Sequence, residues 1–88
     1  MNIIREKGIF FIGADDKKDA YISFTENNGI LTVEHTVVTA ALKGQGIGKL
    51  LVKEVSDYAR EHGLKVNSTC WFAKDIFNKN KEYEDIRA

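Results

Sequence analysis

The hydrophobic period of this chain changes near residue 40, and a glycine-rich bend marks the change. Residues 30–39 are β-branched and alternate, which predicts a long strand. Leu31, Val33, His35 and Val37 fall on one face of it, and Ile30, Thr32, Glu34, Thr36 and Val38 on the other. After the bend, Ile47, Leu50, Leu51, Val55, Tyr58, Ala59 and His62 recur at helical spacing. Between the two runs stand Lys43-Gly44-Gln45-Gly46-Ile47-Gly48-Lys49. Glycines let the backbone turn sharply and bring several N–H groups to one place. The first turn of a helix adds unpaired N–H groups and partial positive charge. Together they make a phosphate site, to which Lys43 and Lys49 contribute counter-charge.

The rest of the chain is cut into short pieces by turn residues. Residues 9–12 and 20–25 read as strands joined by a polar turn over 13–19. Glu26-Asn27-Asn28-Gly29 is a hairpin signal, because Asn and Gly tolerate positive φ. Gly63 is a natural residue to end the long helix. Residues 64–70 return to extended structure, 71–80 predict a short helix, and 83–88 form a tail that either docks or does not. The order is β-β-β-loop-α-β-α. Strands joined by a crossover helix are parallel and right-handed. The expected class is therefore α/β (α+β), a mixed, mostly antiparallel sheet with a C-terminal parallel β-α-β unit.

With 88 residues the chain has room for one small domain, spanning 1–88, with a thin core. Its longest apolar run, Ile9-Phe10-Phe11-Ile12, is far short of the ~20 residues a membrane helix needs. The first residues lack a signal-peptide layout. One cysteine makes no internal disulfide, so a reducing, cytoplasmic setting is expected, and one cysteine with two histidines makes no credible zinc site. Net charge is zero, which argues against a nucleic-acid binder. The charge is uneven, however: residues 40–81 carry a net +4, and 1–39 and 82–88 each carry −2. An anion would be held in the middle of the chain. The bland alternative is chance clustering on a solvated surface.

The bend fits neither common nucleotide motif. A P-loop needs four residues between Gly44 and Gly48-Lys49 and a hydroxyl where Leu50 stands. A dinucleotide fingerprint needs its third glycine one residue later and a larger sheet. A loop that needs glycine only to turn stays open as an alternative. Residues 36–62 instead resemble the acetyl-CoA-binding core of the GCN5-related N-acetyltransferases, whose pattern is Gln/Arg-x-x-Gly-x-Gly/Ala at the start of a helix. Here it is Lys43-x-x-Gly46-x-Gly48, with lysine in place of glutamine or arginine. The resemblance implies that Lys43, Gly44, Gln45, Gly46, Ile47, Gly48 and Lys49 hold the pyrophosphate of CoA. It implies that Thr36, Val37 and Val38 pair with the pantetheine arm. The compact length, the His35-Thr36 pair and Cys70 followed by an aromatic residue narrow the resemblance to the small acetyltransferase-like members of the family, over roughly residues 8–85.

Typical members carry a helical segment between their first strands that helps form the substrate cleft, and this chain has no room for it. They often use a tyrosine to protonate the leaving thiolate, and no tyrosine lies within 71–82. Cys70 ends the strand after the crossover helix, where the family's sheet splays around the thioester. A thiolate there would accept the acetyl group before an amine does. His35, on the neighbouring strand, is the candidate base. The plain alternatives are a small buried hydrophobe for Cys70 and a hydrogen-bonded core histidine for His35. The expected function is acetyl transfer from acetyl-CoA to a small or exposed amine, directly or through Cys70. Its rival is a CoA-binding module without turnover, a sensor or partner subunit. Expected partners are acetyl-CoA and an amine, with no nucleic acid, no membrane and no metal, in a monomer or weak dimer.

Overall fold

One extra residue in a central strand decides which side chains meet in this fold. A computed structural model describes residues 2–88. The strands are β1 (Ile4–Glu6), β2 (Ile9–Ala14), β3 (Lys17–Asn27), β4 (Ile30–Val38) and β5 (Lys65–Ser68). They lie in the order β1-β2-β3-β4-β5, antiparallel except for the β4–β5 pair. Helix α1 (Ile47–Glu61) makes the parallel crossover, and α2 (Trp71–Lys79) follows β5. The expected class and order are found, with β1 added in front.

β1 has only three residues, all exposed, so no periodicity announces it. It is held from outside. The Arg5 guanidinium meets Glu54 and Glu61 of α1, each at 2.8 Å, and lies 5.3 Å from the Phe10 ring centroid. The polar turn over 13–19 shrinks to Asp15 and Asp16, because pairing continues to Ala14↔Lys17 after a register shift at Ile12/Gly13. Gly13 has φ +117°, and a Cβ there would lie 2.7 Å from the Lys17 carbonyl oxygen. The tail docks: Tyr83 and Ile86 are buried, Arg87 bridges Val66, and Asp85 takes the Arg60 guanidinium at 2.9 Å.

In the β3–β4 pair, Ser23 lies opposite His35 and Phe24 opposite Val33. Glu34 therefore has no partner, which makes a β-bulge, and the side-chain alternation of β4 inverts beyond it. Leu31 and Val33 are fully buried, as expected. His35 and Val37 do not continue their face. Both are exposed on the opposite side of the sheet, and Thr36 and Val38 turn inward.

Both helices pack on that inward face, over Phe10, Ile22, Phe24, Leu31, Val33 and Val66. α1 contributes Ile47, Leu51, Val52, Val55 and Ala59. Leu50, expected in the core, is exposed, and Val52 takes its place. The outer face carries no helix among the described residues. A cross-strand row of Ile4, Phe11, Tyr21 and Val37 crosses it, and the Lys18 ammonium lies 4.6 Å over Phe11. No described helix is long and apolar enough to cross a membrane.

Burial and ion pairing are expected to contribute unequally. Phe10→Ala removes a buried ring packed edge-on against Phe24 and Tyr58, and is expected to cost about 3–5 kcal/mol in urea unfolding. Arg5→Ala opens partly exposed ion pairs and is expected to cost about 1 kcal/mol or less, shrinking further in high salt.

Candidate functional site

The bend between β4 and α1 begins with a tight 3-10 turn at Ala40–Leu42, closed by Leu42 N–H donating to the Thr39 carbonyl at 3.0 Å. Gly44 and Gly46 then take positive φ, +81° and +73°. A Cβ at either would meet nothing within 4 Å. These glycines serve backbone conformation and leave the space above them clear. Gly46 is the N-cap of α1 and supplies no side-chain cap, and the first turn has no acidic residue. Among the described residues, no amide from 44 to 49 donates to a protein acceptor; the helical ladder begins with Leu50 N–H on the Gly46 carbonyl at 3.1 Å. A run of bare amides at a helix start is what a diphosphate would require. Lys43 and Lys49 are exposed beside it, and neither forms an ion pair among the described residues.

Gly48 differs. It is helical and buried, and a Cβ there would lie 2.7 Å from Phe72 Cζ. Its missing side chain admits the Phe72 ring of α2.

The second half of the site is the gap between β4 and β5. Their pairing ends at Val33↔Ser68, where Thr69 N–H donates to the Val33 carbonyl at 2.9 Å. β4 runs on to Val38, whereas the other chain turns into α2, so β4 beyond the bulge has no β5 partner on that edge. Cys70 is the N-cap of α2 and is half-buried. The Ser68 hydroxyl accepts the Cys70 N–H at 3.0 Å and donates to the Cys70 carbonyl at 2.7 Å. The Cys70 thiol donates to Thr36 Oγ1 across the gap at 3.7 Å. Burial pushes the thiol pKa up. The Ala73 amide, the Thr36 hydroxyl once it turns to donate, and the Phe72 and Thr36 amides favour the thiolate and outweigh burial, and the net shift is downward.

The structure thus brings Thr36 to Cys70 and does not bring His35 there. His35 lies opposite Ser23 on the outer face, and no hydrogen bond joins it to Cys70. The bulge is the reason. Ser68, which holds the Cys70 backbone, escaped the sequence reading. No groups of three or more His, Cys, Asp or Glu side chains capable of holding a metal occur among the described residues.

Residues 9–86 match the family described as GCN5-related N-acetyl-transferase. Protein NATD1 of Gallus gallus is 37% identical over 51 residues, 58% of this chain and 46% of its own length. NATD1 of Xenopus tropicalis is 32% identical over 78 residues, 86% of this chain and 72% of that protein. The chain thus spans about half the length of the chicken relative. A Staphylococcus aureus chain solved by NMR and described as a GCN5-like N-acetyltransferase superposes with TM-score 0.84 at 35% identity, over 99% of this chain and 87% of that one. A ribosomal-protein-alanine N-acetyltransferase of Brucella melitensis shares the fold at TM-score 0.61 and 18% identity, over 96% and 66%.

The lowered thiol is directly measurable. Alkylation of Cys70 by iodoacetamide is expected to reach half its maximal rate at a pH below the ordinary cysteine range, because the thiolate persists to lower pH. Thr36→Val removes one of its hydrogen bonds and is expected to move that midpoint upward.

Proposed function

The chain belongs to the GCN5-related N-acetyltransferases, and on that premise we propose that it moves an acetyl group from acetyl-CoA to an amine by way of Cys70. The observation that carries this reading is the pairing of two structures on one side of the sheet. One is the run of unpaired amides at 44–49; the other is a thiol of lowered pKa at the end of the β4–β5 gap.

In this reading Lys43, Gly44, Gln45, Gly46, Ile47, Gly48 and Lys49 grip the diphosphate through amides and lysine charge. The open β4 edge at Thr36, Val37 and Val38 aligns the pantetheine arm. The Cys70 thiolate attacks the thioester carbonyl; its S–C bond forms as the CoA sulfur leaves as thiolate. An incoming amine then attacks the new thioester, the N–C bond forms, the amine loses its proton and the Cys70 thiolate is released. The arrangement supports a thiol that ionises without His35, because neighbouring donor groups favour the thiolate. His35, on the outer face beside the gap, is assigned to take the amine's proton. The rival, a CoA-binding module without turnover, is favoured by the outer face, where no helix among the described residues frames an acceptor.

Intact-mass measurement after incubation with acetyl-CoA tests this. One acetyl group is expected on the protein, absent in Cys70→Ala and discharged by added amine. CoA-dependent shifts at 36–38 and 44–49 without acetylation or turnover would leave the rival standing. Replacing both Lys43 and Lys49 by Ala is expected to weaken CoA binding about tenfold, ~1.4 kcal/mol, and to flatten its salt dependence.

A further inference from the structure

We propose that Phe72 is a positioning residue that couples the amide cradle at 44–49 to Cys70, so that the two ends of the site keep one spacing. The proposal rests on the Cys70 reading above and adds to it a mechanical link. One contact of its ring, and its place in α2 beside Cys70, carry it. The Phe72 ring occupies the place of the absent side chain at Gly48, whose ideal Cβ would lie 2.7 Å from Cζ and 2.8 Å from Cε2. Phe72 also stands two residues after Cys70, the N-cap of α2, whose sulfur lies 3.7 Å from Thr36 Oγ1. Gly48 belongs to the first turn of α1, and Phe72 to the first turn of α2. A single side chain therefore sets how closely the two helix starts approach.

Gly48 owes nothing to backbone conformation here, because it is an ordinary helical residue without positive φ. Alanine is the better helix former by about 1 kcal/mol, so local propensity argues against glycine at this position. The compensating reason in the structure is room for the ring. Ser68 fixes the other side of Cys70 by its two backbone hydrogen bonds. With that side fixed, a displaced Phe72 shifts the start of α2 and with it the 3.7 Å contact of the Cys70 sulfur with Thr36 Oγ1, so the ring transmits movement of the bend to the thiol.

The test reads the thiol alone and needs no acetyl-CoA. Alkylation of Cys70 by iodoacetamide is followed against pH in the full chain, for wild type, Phe72→Ala, Gly48→Ala and the double variant Gly48→Ala/Phe72→Leu, with backbone amide spectra as the check on folding. Gly48→Ala is expected to raise the midpoint and slow alkylation near neutral pH about threefold, and Phe72→Ala to act in the same direction. The double variant, which adds a methyl on α1 and removes bulk on α2, is expected to return the profile toward wild type. An unchanged profile in Gly48→Ala overturns the proposal, as does a slowed profile that the double variant fails to restore. If Phe72→Ala does not fold, the Gly48→Ala pair of measurements decides alone. Absence of acetylation in wild type with these alkylation shifts intact would remove the acetyl-transfer reading and leave the coupling standing.

Discussion

The unpaired residue Glu34 in β4 is the constraint on which the rest of the site depends. Without the bulge, β4 would keep one alternation from Ile30 to Val38. His35 and Val37 would enter the core, and Thr36 would face away from Cys70. With it, the same strand serves two purposes in succession. Its first half pairs with β5 and buries Leu31 and Val33. Its second half leaves β5 and presents Thr36 to the thiol. The sheet opens at the point where the alternation inverts, since the last pair, Val33↔Ser68, immediately precedes Glu34.

A second constraint is electrostatic. α1 begins at a glycine without a side-chain cap, and α2 begins at a cysteine without a side-chain cap. Most helices satisfy their first amides with Ser, Thr, Asp or Asn, and leaving them bare forgoes about 1 kcal/mol per helix. Both uncapped starts lie on the side of the sheet that bears the helices, and Phe72 of one touches Gly48 of the other. Each start can stabilise negative charge: a diphosphate at the first, the Cys70 thiolate at the second. A chain with no net charge thus concentrates positive charge where the proposed chemistry needs it, through two helix starts and the flanking Lys43 and Lys49.

Much of this could be read before any coordinates. The change of period at residue 40 located the β4–α1 junction, and Asn28 and Gly29 adopt the positive φ that their turn signal implied. The parallel β-α-β unit followed from handedness and length alone. What escaped has physical causes. β1 is three exposed residues held by ion pairs from a distant helix, and such pairing leaves no local pattern. Leu50 and Val52 exchanged places because both fit a broad helical stripe, and only the angle at which α1 meets the sheet selects between them. The faces of β4 were inverted after Glu34 because a bulge is a property of a strand pair, whereas alternation was counted in one strand. The two glycines with positive φ were legible as turn residues, but Gly48 was not distinguishable from them until Phe72 was seen on it.

The two faces of the sheet are built to different standards, and this bears on recognition. The inner face is covered by α1 and α2, and its strands contribute fully buried side chains. The outer face relies on its own residues: Phe11 is buried there without a helix, under the Lys18 ammonium and its cross-strand neighbours Ile4 and Tyr21. A cation over an aromatic face is worth about 0.5–1 kcal/mol at an exposed site, enough to shield a ring but not to replace a packed layer. Donor recognition, in the proposed reading, draws on fixed backbone amides and an open strand edge. Acceptor recognition, in the same reading, falls to the outer face that bears His35, which no described helix covers. A site of this kind would bind its donor by geometry and select its acceptor weakly, because a face without a covering helix buries little of a small amine.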